Sequence, residues 1–392
     1  ELLAVGDHDY FLYYYDDLLR NDLPATGSRL TLRSLPGEGS LHSRIERVAC
    51  DNADRLDWLL LTCPLENFQG YLPPFARRRG PRLAAIIYDL IPLRFPDHYL
   101  AHPGIAAAYR RALAAVRNYD LLLTISQSAR QDVYDLLQAS PNRVVTIGAA
   151  SDGEFFQPPT SRGDPQSIAW LTRHGIHKPF VYAVSAPDYR KNLSGLLAAW
   201  RRLPEPMRER YQCVITCATN SAESARPLHD MVTVSPDYKN VVFTEALDDD
   251  SLRRLYQQAA AFVFPSRYEG FGLPLLEAMQ CGAAVIAGDN SSQVEVVGDA
   301  GLLANVDDPQ QLSERITRLL DRPELADELR ARGVRQARQF SWPQVASRCL
   351  AALTGSNAAR RANWLRAWTA RGRLAVANRF ETDAHRMRGV RA

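Results

Sequence analysis

The chain has no stretch of about 18 consecutive apolar residues, so no membrane-spanning helix is expected. It shows no secretory signal pattern, no internal repeat and no low-complexity tract. Its six cysteines (Cys50, Cys63, Cys213, Cys217, Cys281 and Cys349) are scattered without metal-ligand spacing, and most have apolar neighbours. They read as reduced, cytosolic core residues. Cys213 and Cys217 flank the strand-like Val214-Ile215-Thr216 with no histidine cluster nearby, which favours core packing over a metal pair. Histidines are also sparse: His98, His102, His174, His177 and His229 are dispersed, and none pairs at ligand spacing with two carboxylates. No metal and no cofactor is therefore expected. Recognised nucleic-acid-binding motifs are missing too, and no nucleic-acid partner is expected.

At 392 residues the chain exceeds one core of ordinary size, which favours two domains. A hydrophobic content of 46% and a charged content of 23% are those of a folded soluble protein, not a disordered or fibrous one. Apolar strand-like runs alternate with helical patterns throughout. In the first half they are Tyr10 to Tyr14, Asp57 to Leu61, Arg82 to Asp89, Asp120 to Ser126 and Val144 to Gly148, with helical pattern over Pro103 to Arg117 and from Ser126 to about Gln138. In the second they are Phe180 to Val184, Cys213 to Cys217, Val241 to Phe243, Ala259 to Phe264 and Ala283 to Ala287. This alternation predicts an α/β protein with two Rossmann-like domains built on parallel sheets. The expected domains are residues 1–160 and 161–340, followed by a crossover helix and tail over 341–392.

The net charge of +3 is unevenly spread. From Asn357 onward nine arginines face only Glu381 and Asp383, a balance of +7 that leaves −4 for everything before. Trp364, Leu365, Trp368 and Leu374 lie among those arginines. Such a basic amphipathic tail suits an anionic membrane surface, with a solvated terminal helix or a linker as the alternative.

The most informative segment runs from Phe264 to Glu277. Seven residues separate Glu269 from Glu277, with Ser266, Gly270, Phe271, Gly272 and Leu273 around them. An apolar strand precedes the loop, Pro274 suits the first turn of a helix, and Gly282 suits its end. Glycines at 270 and 272 allow close backbone approach to a ligand, and the amides opening the helix attract anions, so the loop is a candidate phosphate cradle. Glu269, in the loop, can touch what the phosphates carry; Glu277, one turn into the helix, can accept from ribose hydroxyls. About 80 residues earlier, Ser185 to Asn192 form a second strand-to-helix loop, where Arg190 and Lys191 can neutralise a diphosphate.

The form E-G-F-G-L-P-x-x-E-A-M-x-x-G from Glu269 to Gly282 resembles the E-x7-E signature of retaining glycosyltransferases with the GT-B fold, namely glycosyltransferase family 4, the glycosyl transferases group 1. The Arg190-Lys191-Asn192 segment resembles the same family's diphosphate-holding residues. The resemblance implies a two-domain GT-B fold with the active site in the interdomain cleft. It also implies a nucleoside diphosphate sugar as donor and a glycan or lipid-linked hydroxyl as acceptor, with Glu269, Arg190 and Lys191 at the reacting centre. Phe243 to Asp249, including Leu247, resembles the loop that contacts the base. Tyr88-Asp89 stands where relatives often carry His-Asp on the acceptor side, and Asp89 also suits a turn cap. The family has a first strand and Gly-rich turn before a helix like Glu1 to Val5, so the N-terminal domain is expected to lack that strand. Asn290 to Gly301 matches the family as well, with Ser292 read as helix N-cap and Glu295 as its reciprocal partner. Two other readings accompany the transferase: a catalytically weak scaffold of the same fold, and a sugar-nucleotide epimerase.

Overall fold

A computed structural model of the chain describes residues 1–5, 7–14, 28–35, 38–52, 54–65, 80–217, 238–244, 247–355 and 373–377. Among the described residues six strands precede Ala150: β1 (Asp9–Tyr14), β2 (Leu30–Ser34), β3 (Trp58–Leu61), β4 (Arg82–Ile87), β5 (Leu121–Thr124) and β6 (Val144–Thr146). Six more follow: β7 (Phe180–Ser185), β8 (Gln212–Cys217), β9 (Val241–Thr244), β10 (Ala261–Phe264), β11 (Val285–Gly288) and β12 (Gly301–Ala304). A last strand, β13 (Arg373–Ala377), lies near the end of the sequence.

Internal contacts divide the chain into two units. The first holds a seven-stranded sheet in the order β2-β1-β13-β3-β4-β5-β6, the second a six-stranded sheet in the order β12-β11-β10-β7-β8-β9. Every strand pairing in both sheets is parallel. Parallel strands are covered by helices on both faces, which is why β3, β5, β7, β8 and β10 are buried at every residue and read in sequence as predominantly apolar runs. In the second sheet the chain runs outward from β7 to β9, returns to β10 beside β7, and runs outward the other way. The loops after β7 and β10 therefore diverge from neighbouring strands, opening the crevice where such sheets bind ligands.

Around this sheet Trp200, Leu196, Leu197, Leu312 and Ile316 form the core on one side. Each such side chain, fully withdrawn from water, contributes about 1.5–3 kcal/mol. Tyr256 packs edge-on to Phe262 at 5.1 Å and to Tyr182 at 5.5 Å between ring centroids. In the first unit Leu59, Leu61, Ile87, Leu122 and Val133 share one cluster, while Trp58, Leu60, Ala84 and Leu123 face another that includes Cys349 and Leu353.

Three expectations change. The unit boundary falls at Ala149/Ala150 rather than 160/161, because the intervening stretch packs on the second unit. Phe156 stacks edge-on to Tyr256, and Arg162 donates to the carbonyls of Ala259 and Gly282. The helix Trp342–Gly355 and β13 belong to the first unit. Residues 373–377, read as part of a basic amphipathic tail, are a strand that pairs with β1 and β3. β13 thus takes an interior position in the first unit's sheet. The remaining tail residues, among them Trp364, Leu365 and Trp368, lie outside the described residues. Finally, Cys50 is exposed and Cys63 half-buried, whereas the other four cysteines are buried. Among the described residues no helix is long and apolar enough to cross a membrane.

Candidate active site

The loop after β7 is shaped by its own polar groups. Asp188 Oδ1 accepts from the Arg190 amide at 2.9 Å and starts a single helical turn over Tyr189–Lys191. Asn192 ends that turn with φ of +51°, and its Nδ2 donates to the Val306 carbonyl at 2.7 Å. The helix Leu193–Arg202 follows. After β10, Gly272 takes φ of +102° as the N-cap of the helix Leu273–Gln280, with Pro274 in its first turn. A residue bearing Cβ is strained at that φ, so the glycine is required by the backbone.

These two loops bring three charges together. Arg190 Nη1 lies 2.6 Å from Glu269 Oε2, and Lys191 Nζ lies 2.9 Å from Oε1. The Lys191 side chain is 4% exposed, that of Glu269 9% and that of Arg190 22%. Lys191 Nζ also sits 4.9 Å from the centre of the Phe264 ring, a cation–π arrangement. Burial pushes the Lys191 ammonium below the ordinary lysine value, against the pull of Glu269. For Glu269, burial raises the carboxyl, but Lys191 and Arg190 outweigh it and hold the group below the ordinary glutamate value. Glu269 therefore stays charged near neutrality. Arg267 ties the loops further: its amide donates to the Arg190 carbonyl at 2.7 Å, and its guanidinium reaches the Tyr189 carbonyl and Asp307, each at 2.7 Å.

Glu277 is also buried, and Tyr256 donates to its Oε2 at 3.3 Å. Burial, with Glu277 adding to it, drives the Tyr256 phenol well above its ordinary value, so it remains a donor. Beside it, Tyr182, Thr216 and Thr244 form a hydroxyl chain at 2.9 and 2.7 Å.

The structure gathers Arg190, Lys191 and Glu269 into one cluster, with Gly270, Phe271 and Gly272 continuing the loop and Leu273 exposed at the helix start. Ser266 is buried, and its carbonyl accepts from Asn290 Nδ2 and Gln293 Nε2. Leu247 is half-buried just before Asp248, which caps the helix that carries Tyr256; residues 245–246 lie outside the described residues. Tyr88 and Asp89 belong to the first unit, at the end of β4. Tyr88 is 45% exposed, while Asp89 Oδ1 accepts from the Ile91 amide at 2.9 Å and closes a turn.

One local reading is corrected. The helix at 291–297 is capped by Asn290, with no side-chain cap bond, and Ser292 Oγ instead donates to the Glu269 carbonyl at 2.9 Å. A tertiary acceptor takes the hydroxyl that the S-x-x-E pattern assigned to a capping box. The sequence also gave no sign of Tyr256, which looks like any core aromatic on an amphipathic helix. Among the described residues no group of three or more His, Cys, Asp or Glu side chains could hold a metal ion.

A parallel six-stranded sheet with a buried Arg-Glu-Lys cluster at its switch point, partnered by a second Rossmann-type unit, defines a GT-B protein. Similarity in fold supports this: sucrose-phosphate synthase from Thermosynechococcus elongatus superposes with a TM-score of 0.71 at 20% identity, over 92% of each chain. Anabaena HepE, solved with UDP and glucose, gives 0.65 at 17% identity, over 88% of this chain and 91% of that one. Residues 171–339 match the family model described as glycosyl transferases group 1. O-antigen chain mannosyltransferase B of Escherichia coli is 30% identical over 275 residues, 69% of each chain. Serotype-specific mannosyltransferase WbdA of Escherichia coli is 32% identical over 265 residues, 68% of this chain. The chain spans only 32% of WbdA. It belongs to the group 1 glycosyl transferases.

Proposed function

We propose that the chain is a retaining enzyme of glycosyltransferase family 4. In this reading it moves a mannose- or deoxyhexose-like sugar from a nucleoside diphosphate sugar to a hydroxyl of a glycan or lipid-linked acceptor, in the synthesis of a cell-surface polysaccharide or glycolipid. The observation that carries it is the Arg190–Glu269–Lys191 cluster at the β7/β10 switch point, where a diphosphate fits by charge and position. The mannosyltransferase names of the relatives support the sugar class.

Arg190 and Lys191 neutralise the donor diphosphate, and the amides that open the helix after Gly272 add positive potential. Glu269 orients the sugar and Glu277 holds the ribose. The C1–O bond to the diphosphate breaks, the acceptor oxygen bonds to C1 on the same face, and its proton passes to the departing phosphate oxygen. Stabilising the charge on that leaving group is the main catalytic contribution of the protein. Arg190 and Lys191 supply the neutralisation, so the reading calls for no metal. Tyr88 and Asp89 are assigned to the acceptor side. Arginines of the tail are assigned to an anionic membrane surface at the cytoplasmic face; vesicle co-sedimentation unchanged in Arg360→Ser, Arg361→Ser, Arg366→Ser would sink that part.

A binding and hydrolysis screen with UDP-, GDP- and dTDP-sugars tests the whole. Wild type is expected to bind one donor and release its sugar slowly, and Glu277→Ala to bind it at least about 10-fold more weakly. Binding to none of them would favour the scaffold reading.

A further inference from the structure

The residues Asn290 to Gln293 have no part in this chemistry, yet they enclose the backbone of the loop that carries Glu269. Ser291 Oγ accepts from the Glu269 amide at 3.0 Å and donates to Asn290 Oδ1 at 2.9 Å. Ser292 Oγ donates to the Glu269 carbonyl at 2.9 Å. Gln293 Nε2 reaches the Ser266 carbonyl at 2.7 Å and Asn290 Oδ1 at 3.0 Å, and its Oε1 accepts from the Gly288 amide at 3.1 Å. The backbone of Glu269 is thus held at both its N–H and its C=O, while Arg190 and Lys191 hold the carboxylate from the other side.

Ser291 does this from an unfavourable conformation. Its φ is +48°, a region glycine enters freely and a serine enters at a cost. Strain of this kind persists where surrounding structure over-determines it, and it gathers at functional sites. Glycine would relieve the backbone here but would leave the buried Glu269 amide without the Ser291 hydroxyl.

We infer that Ser291 is a positioning residue, holding Glu269 through the loop backbone so that its carboxylate meets the donor sugar in register. The inference rests on the proposed sugar-orienting role of Glu269. A drift of about 1 Å at a reacting group can cost about 10²-fold in rate, so the loss of one of two backbone ties is expected to cost about 10-fold.

Ser291→Gly separates positioning from folding. It is expected to melt at or above the wild-type temperature, to bind UDP, GDP or dTDP, whichever the wild type binds, within about twofold, and to lose about 10-fold in kcat with little change in KM. Ser291→Ala keeps the strain and lacks the hydroxyl, so it is expected to melt lower as well as turn over more slowly. In both variants, hydrogen exchange of the peptide that covers residues 266–272 is expected to be faster. Full turnover with unchanged exchange in Ser291→Gly would overturn the inference. So would a lower melting temperature with nucleotide affinity lost alongside turnover, which would make Ser291 structural. If the wild type binds none of the three nucleotides, the donor reading fails by itself; faster exchange in Ser291→Gly then sustains the backbone tie, and unchanged exchange removes it.

Discussion

The loop after β4 in the first unit and the loops after β7 and β10 in the second all leave the carboxyl ends of parallel strands, yet they are filled in opposite ways. After β4 stand an exposed Tyr88 and an Asp89 whose carboxylate closes a turn. After β7 and β10 stand two cations and a carboxylate withdrawn from water and held to one another. Burying charges is costly unless each is paired, and the pairing itself often adds no net stability over apolar residues. The second unit's strand ends thus hold a buried, fully paired charge cluster, which the proposed function uses for chemistry, whereas the first unit's strand end is organised by local turn geometry.

Removing one member of the cluster should have the largest effect. Lys191→Ala leaves Glu269 buried with one partner fewer and is expected to cost about 3–5 kcal/mol in urea unfolding, together with about 10²- to 10³-fold in turnover. A loss below 1 kcal/mol would erase the contrast between the two units. The same pair predicts a pH dependence. The Glu269 carboxyl titrates lower in the folded protein than in the unfolded chain, where its ordinary value is 4.5. Its stabilisation is complete above that value and disappears as pH falls through the lower folded value. Urea midpoints measured downward from pH 5 should therefore fall less steeply in Glu269→Gln than in wild type.

If Glu277 holds the donor ribose as proposed, Glu277→Ala is expected to weaken nucleotide binding by about 1.5–3 kcal/mol, read by calorimetry. Tyr256→Phe would sharpen this by asking how much of the effect depends on the orientation of Glu277. At the first unit's strand end, Asp89→Ala should cost only about 1 kcal/mol of stability, the value of one turn-closing hydrogen bond, with nucleotide affinity unchanged. Altered nucleotide binding there would break the comparison.

The glutamate loop was legible because buried parallel strands appear as predominantly apolar runs, and Gly270, Gly272 and Pro274 mark where the chain must turn. That Arg190 and Lys191 meet Glu269 was legible only through the family resemblance, since residues about 80 positions apart meet because β7 and β10 are neighbours, and sheet order is not written locally. Ser292 shows the limit of local patterns: a capping signature was present, but a carbonyl 23 residues away takes its hydroxyl. β13 was hidden for another reason. Arg373 to Ala377 is a plain apolar strand, and charge summed over the whole tail concealed it.

The position of β13 bears on how the protein is born. Asp9 pairs with Arg373 across about 360 residues, and among the described strands β13 lies between the β1–β2 pair and the β3–β6 group. A growing chain on the ribosome thus carries two half-sheets with open edges, while the described residues of the second unit all lie between Ala150 and Ser341 and are made earlier. Chains arrested just after Ser341 are expected to show a protease-resistant second unit and a digestible first one. The usual N-to-C order of domain folding would then be reversed, with long-range pairing making the first-made unit the last to close.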